Sequence, residues 1–240
     1  MKKVDVLAIG AHPDDVELGC GGTLAKMIAE GKTVAILDLT RGELGTRGTA
    51  ETRKQEAAEA AAILGITERQ NLGLPDGFLE NSREYQMKIV EWIRYYQPDI
   101  VFANAIEDRH PDHGKGSKLA SDACFLSGLR KIETTFQGEK QVEWRPKHVF
   151  HYIQWKNIEP DFVVDISEHM ETKIKSCLAY KTQFYDPNSD EPMTLIATKD
   201  FLESLTYRAQ DLGRLSGVAH AEGFTSERKI CLKNFDGIVW

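Results

Sequence analysis

The sequence predicts an α/β protein whose mostly parallel sheet is wrapped by helices, and three observations carry that expectation. Short β-branched runs alternate with segments of helical composition along the first two thirds of the chain. Several helical segments close on recognisable stop signals. Two polar clusters each follow directly on a predicted strand, at its carboxyl end, where doubly wound sheets bind ligands. The first strand is expected at 4–9 and runs into Gly10-Ala11-His12-Pro13-Asp14-Asp15, with a helix over 16–30. A strand at 33–39 leads to an alanine-rich helix at 57–64, stopped by Gly65. After a strand at 70–74, a helix over 82–96 places Ile89, Trp92, Ile93 and Tyr96 on one core-facing stripe, and Gln97-Pro98 ends it. The fourth strand, 100–103, precedes a helix at 116–129, and a fifth follows at 149–153. Helices at 168–179 and 199–215 flank a polar, proline-bearing loop or lid at 185–192, and 137–146 is the other long excursion. One domain over 1–240 is expected, with a core at about 1–165 and a helical extension at about 166–240.

Bulk properties exclude several classes. The apolar fraction of 41% and charged fraction of 28% are those of ordinary globular proteins, and no apolar run reaches membrane-spanning length. Met1-Lys2-Lys3 leads straight into the first strand without a signal-peptide pattern, so a cytoplasmic location is expected. A net charge of −7 offers no basic face for nucleic acid. Cys20, Cys124, Cys177 and Cys231 lie far apart with no Cys-x-x-Cys pair, which argues against a thiolate metal site and a disulfide framework.

The chemistry resides in the two turns. Strand one ends in His12-Pro13-Asp14-Asp15, and strand four leads to Asn104-Ala105-Ile106-Glu107-Asp108-Arg109-His110-Pro111-Asp112-His113. Taken alone, Asp14 or Asp15 reads as a helix N-cap and either later histidine as a loop residue. Two His-Pro-Asp tripeptides at one sheet edge shift the balance. Zinc accepts imidazole nitrogen and carboxylate oxygen and, in hydrolytic sites, leaves a position open for water. Two histidines and one aspartate fit that set. Asp14, beside the ligand Asp15, suits a general base. The remaining imidazole, taken as His110, stabilises an oxyanion or protonates a leaving amine, with Asp112 accepting its other ring N–H. Spacing alone does not fix which of His110 and His113 holds metal.

Ala11-His12-Pro13-Asp14-Asp15 with Glu17, the run Gly19-Cys20-Gly21-Gly22-Thr23, then Thr40-Arg41-Gly42-Glu43, Leu74-Pro75-Asp76-Gly77 and His110-Pro111-Asp112-His113 together resemble the PIG-L/LmbE-like family of N-acetylglucosaminyl deacetylases. The similarity continues through Arg208, Gly213, Gly217 and Ala221-Glu222-Gly223-Phe224. The resemblance implies the Rossmann-like three-layer LmbE-type fold and zinc on His12, Asp15 and His113, although nitrogen and oxygen ligands also accept ferrous iron. It further implies Asp14 as base, His110 with Asp112 as an electrostatic or acid pair, and homo-oligomers, often hexamers. Among subfamilies the sequence is most similar to the bacillithiol-biosynthesis deacetylases, which act on N-acetylglucosaminyl malate. Some relatives place a mobile tyrosine near the oxyanion, and Tyr185 is the candidate here.

A malyl aglycone carries two carboxylates, for which guanidinium groups are natural receptors. Arg47, Arg53 and Arg109 are the candidates, with Gly42, Gly45 and Gly48 allowing close approach to a sugar. Arg208 and Glu222 read as members of a structural ion pair in preference to residues that line the site. Three other classes compete. A nucleotide-dependent oxidoreductase is disfavoured because the first turn lacks Gly-x-Gly-x-x-Gly and puts carboxylates where a pyrophosphate should sit. A non-haem iron oxygenase shares the two-histidine, one-carboxylate set. A non-catalytic metal-binding protein has no use for the additional carboxylate of Asp14.

Overall fold

A computed structural model describes residues 1–234 and 236–238. Strand β1 (Val6–Gly10) is buried throughout, as an apolar strand covered on both faces must be. It is followed by α1 (Asp15–Ala29), β2 (Val34–Thr40), α2 (Ala50–Leu64), β3 (Glu68–Leu74), α3 (Arg83–Tyr96) and β4 (Ile100–Ala103). Next come α4 (Pro111–Ser127), a small ribbon of β5 (Thr135–Phe136) and β6 (Glu139–Lys140), then β7 (His148–Tyr152) and β8 (Phe162–Asp165). Helices α5 (Met170–Leu178) and α6 (Lys199–Ser216) precede a last strand, β9 (Ala221–Ser226).

Among the described residues the main sheet has seven strands in the order β3-β2-β1-β4-β7-β9-β8. The first five of these pair in parallel, and β9 joins β7 and β8 antiparallel. Strands β1 and β4 are neighbours, with Val6 opposite Ile100 and Ala8 opposite Phe102. The order therefore reverses between them, and their carboxyl ends open one crevice. Buried clusters fill both faces of the sheet: Leu7, Ile9, Leu37, Ile93 and Leu119 on one, Val6, Ala8, Val16, Leu24 and Phe224 on the other.

The expected elements are present with boundaries moved by a few residues, except that α2 and α4 begin earlier. Thr49 caps α2 by accepting from the backbone N–H of Thr52, so the helix runs seven residues ahead of its alanine-rich part. Pro111 starts α4, a position where its missing N–H costs nothing, so His113 lies in the first helical turn. The expected core boundary near residue 165 is corrected: the C-terminal segment is not purely helical, because β9 returns to the sheet between β7 and β8. Glu222 on β9 then accepts from the backbone N–H groups of Gly22 and Thr23 at 3.0 and 2.7 Å, where α1 is kinked at Cys20. No helix among the described residues is long and apolar enough to cross a membrane.

Candidate active site

The two turns meet. The ring centroids of His12 and His113 lie 5.4 Å apart, those of His12 and His110 4.6 Å, and those of His110 and His113 5.1 Å. Asp15, at the start of α1, lies between two imidazoles: its Oδ1 is 3.1 Å from His113 Nε2 and its Oδ2 is 3.4 Å from His12 Nδ1. The two contacts use different Asp15 oxygens, and the expected triad of His12, Asp15 and His113 is not among the donor sets that gather within 4.8 Å with one atom per residue. Two sets bring one donor atom per residue within 4.8 Å of each other, namely His12, His110 and His113, and His12, Asp76 and Asp112. His12 Nε2 is buried without a hydrogen-bond partner, although Asp76 Oδ1 is 3.0 Å away.

The groups around these donors orient them. His113 Nδ1 lies 2.5 Å from Asp108 Oδ2, which leaves Nε2 as the nitrogen turned to Asp15. Asn104, at the end of β4, donates to Asp15 Oδ2 at 2.9 Å and accepts from the backbone N–H of Ala11 at 2.8 Å. Gln154 donates to Asp15 Oδ1 at 2.8 Å. Burial alone would raise the Asp15 carboxyl, but the charge of His113 and hydrogen bonds to both imidazoles hold it well below the usual range.

Asp14 occupies the N-cap position of α1 yet caps nothing. Its φ of 108° is strained for a residue with a Cβ, a cost of about 1–3 kcal/mol that surrounding contacts must hold. Those contacts come from Arg53, which donates to Asp14 Oδ2 at 2.9 Å and to the Pro13 carbonyl, with a longer bond to Gln183 Oε1 at 3.3 Å. Burial pushes the Asp14 carboxyl up to about 7, opposed chiefly by the Arg53 charge. Arg53 is therefore engaged with Asp14, a different position from the carboxylate receptor expected from sequence. Gly42 makes room for it: a Cβ there, at a φ of +65°, would stand 2.7 Å from the guanidinium.

His110 is the N-cap of α4, and its Nδ1 accepts from the backbone N–H of Asp112 at 3.2 Å. Its Nε2 then carries the ring proton. Burial and the neighbouring imidazoles of His12 and His113 lower its pKa, which favours the neutral ring. The expected pairing is corrected here: the Asp112 carboxylate does not hold His110. It accepts from the backbone N–H groups of Gly77 and Leu79 at 2.7 and 3.2 Å and faces His12 Nε2 at 3.6 Å.

A cavity of about 220 Å³ opens over this cluster, with Leu18, Trp155, Phe201 and Leu205 in its lining. Arg109 lines it, with its guanidinium 4.8 Å from the centre of the Trp155 ring. Arg47 is buried outside that lining and donates to Ser189 Oγ at 2.6 Å in the 185–192 loop. Tyr185 is likewise not part of the wall, which takes Gln183 and Ile196 from either side of that loop. Arg208 lines the cavity and has no carboxylate within ion-pair distance among the described residues, while Glu222 pairs with Lys173 at 2.5 Å; the expected structural role for Arg208 is corrected. Sequence reasoning did not identify Asp76, Asn104, Asp108, Gln154 or Trp155 as site residues. Asp76, Asn104 and Asp108 carried a signal, by standing in the quoted motifs or in the turn after strand four.

Fold and site together define an α/β protein with a cluster of imidazoles and carboxylates at the switch point of its sheet, suited to a divalent cation. The chain belongs to the PIG-L family: the family profile for GlcNAc-PI de-N-acetylases matches residues 7–124. It is similar to the diacetylchitobiose deacetylase of Thermococcus kodakarensis, 30% identical over 91% of this chain and 81% of that protein. Among solved structures, a conserved protein from Thermus thermophilus, TT1542, is 39% identical with a TM-score of 0.85, over 95% of this chain and 97% of that one. The N,N'-diacetylchitobiose deacetylase from Pyrococcus horikoshii is 28% identical with a TM-score of 0.77, over 92% and 82%.

Proposed function

We propose that this protein is a zinc-dependent hydrolase that cleaves the acetamide of an N-acetylglucosaminyl conjugate, specifically N-acetylglucosaminyl malate, giving glucosaminyl malate and acetate in bacillithiol biosynthesis. The observation that carries the reading is the Asp15 carboxylate set between His12 and His113, with the unligated carboxylate of Asp14 adjacent. His12, Asp15 and His113 are the residues that would hold zinc, and the same donors also suit ferrous iron. When bound, the ion supplies Lewis-acid polarisation of the acetyl carbonyl and makes water more acidic.

The chain's own residues supply the remaining steps. Asp14, held by Arg53, accepts a proton from the attacking water as its oxygen bonds to the acetyl carbon. The oxyanion that develops is met by the Nε2–H of His110, whose orientation is fixed by the Asp112 backbone. As the C–N bond breaks, the proton on Asp14 passes to the amine nitrogen and acetate leaves. Asp108, Asn104 and Gln154 keep the donor atoms in place throughout.

Acetate release from N-acetylglucosaminyl malate, diacetylchitobiose and a cysteinyl conjugate, measured with and without chelator, tests this. The expected result is fastest release from the malyl conjugate, abolished by chelator and restored by zinc. Undiminished release under chelation would overturn the metal role. Faster release from chitobiose would move the substrate assignment.

A further inference from the structure

The face of α6 turned to the cavity carries Phe201, Ser204, Leu205 and Arg208, spaced at i, i+3, i+4 and i+7. Arg208 is the cation of that stripe. Of its five N–H donors, the structure engages one, from Nη2 to the Trp155 carbonyl at 2.8 Å. Asp108 is the acidic group that acts on it, but only from beyond ion-pair distance, and Asp108 is already taken by His113 and by the backbone N–H of Lys156. Arg109, on the loop before α4, is more exposed; it too has no ion pair among the described residues and rests on the Trp155 ring. Trp155 joins the two cations: its carbonyl holds Arg208, and its ring carries Arg109 and stacks on Phe201 with centroids 5.5 Å apart and planes at 13°.

The contrast with the rest of the site is chemical. Arg53 and Arg69, buried guanidinium groups on the other side of the first turn, are each answered by carboxylates, Asp14 for the first and Asp38 with Glu17 for the second. Arg208 is half-buried, and a guanidinium that has lost part of its water without gaining an anion favours the arrival of one. Burial indeed lowers the pKa of Arg208.

We propose that Arg208, acting with Arg109 across Trp155, is the receptor for an anionic group on the aglycone and is the residue that decides specificity at that end of the cavity. The inference rests on the deacetylase reading above and extends it to the C-terminal part of the chain, beyond residues 7–124 where the family profile matches. The anion is a carboxylate or a phosphate ester. A forked guanidinium accepts either, and the neighbouring apolar wall of Leu18, Ile196 and Phe201 leaves the charged group as the recognised feature.

The test uses the zinc-loaded protein and three substrates: N-acetylglucosaminyl malate, N-acetylglucosaminyl phosphoinositol and the neutral methyl glycoside of N-acetylglucosamine. In Arg208→Met, the kcat/KM ratio of the preferred anionic substrate over the methyl glycoside should fall by roughly thirty-fold, the effect of one lost charge-assisted hydrogen-bonded contact. The loss should fall mainly on KM, and Arg208→Lys should recover part of it by keeping the charge. Whichever anionic substrate shows the loss identifies the anion. An unchanged ratio, or equal losses on all three substrates, would overturn the proposal in favour of a purely structural tie to Trp155. If none of the three releases acetate, the deacetylase reading fails by itself, and the receptor is then judged by malate and inositol phosphate binding in calorimetry. Binding lost in Arg208→Met sustains the receptor, and equal binding in both proteins rejects it.

Discussion

The floor of the cavity and its α6 wall are built on opposite principles. On the floor, most charges are answered by the protein itself: Asp14 by Arg53, Asp15 by two imidazoles and two amides, His113 by Asp108, Asp112 by two backbone N–H groups. On the wall, Arg109 and Arg208 lean on Trp155 and leave most of their donors open. A network in which most groups are answered fixes geometry before substrate arrives, which is what proton transfer and transition-state stabilisation require, and His12 Nε2 is the donor atom it leaves open. An unsaturated wall waits for the ligand to complete it, and so selects among ligands. Under the proposed function, the reaction belongs to the floor and the choice of substrate to the wall.

Substitutions should separate the two regions, and the largest effect belongs on the floor. Asp14→Asn should lower kcat by about 10²–10⁴-fold while zinc content stays near that of the unaltered protein, since the side chain acts on a proton rather than on the ion. Rates paired with metal analysis check this, and near-normal turnover would remove the base assignment. His113→Ala should empty the site, whereas Asp108→Asn should weaken zinc affinity by about 10–100-fold by loosening the His113 ring. Competition with a chromogenic chelator reads both.

The floor's electrostatics give the next effect. Asp14 is pushed up to about 7 and works as a base only when ionised, so kcat/KM should hold above that pH and fall as pH drops through it. Arg53 pulls the Asp14 pKa down, so Arg53→Met should move the acidic limb to higher pH. Removing one partner of this buried pair also costs about 3–5 kcal/mol, so a melting curve should accompany the pH profile. An unmoved limb in a folded variant would break the link between the two residues. The smallest effect belongs to the more exposed part of the wall: Arg109→Ala should raise KM about fivefold for the malyl substrate and less for N-acetylglucosamine itself, the modest worth of an exposed cation. Equal changes would place Arg109 outside recognition.

Much of the floor was legible in the sequence because its reactive groups are local to two turns. His12-Pro13-Asp14-Asp15 and His110-Pro111-Asp112-His113 each follow a strand, and strand periodicity was enough to place both at one sheet edge. Arg53 shows where that reading ran out. From its position in α2 it looked like a free cation, and its bond to a residue 39 positions earlier depends on how α2 packs beside the first turn. Asp112 misled for a related reason. Its place two residues after His110 suggested a side-chain pair, but the first turn of α4 offers His110 the backbone N–H instead and turns the carboxylate toward the 77–79 loop. Strand β9 was missed because Glu222, Gly223 and Thr225 interrupt the apolar signal that marks β1 and β2, and β8, apolar at Phe162–Val164 but four residues long, was not read as a strand.

By itself, then, the sequence determined which chemical groups the protein possesses and on which strand ends they sit, since both follow from local pattern and a repeat of two residues along a strand. Only the tertiary structure decided which charges neutralise one another and which remain open. Those pairings join positions far apart in the chain, such as Glu222 with the backbone of Thr23, 199 residues away, or Arg208 with Trp155, 53 residues away. Burial sets the energy of each such pairing, and burial is a property of the packed chain rather than of any segment of it.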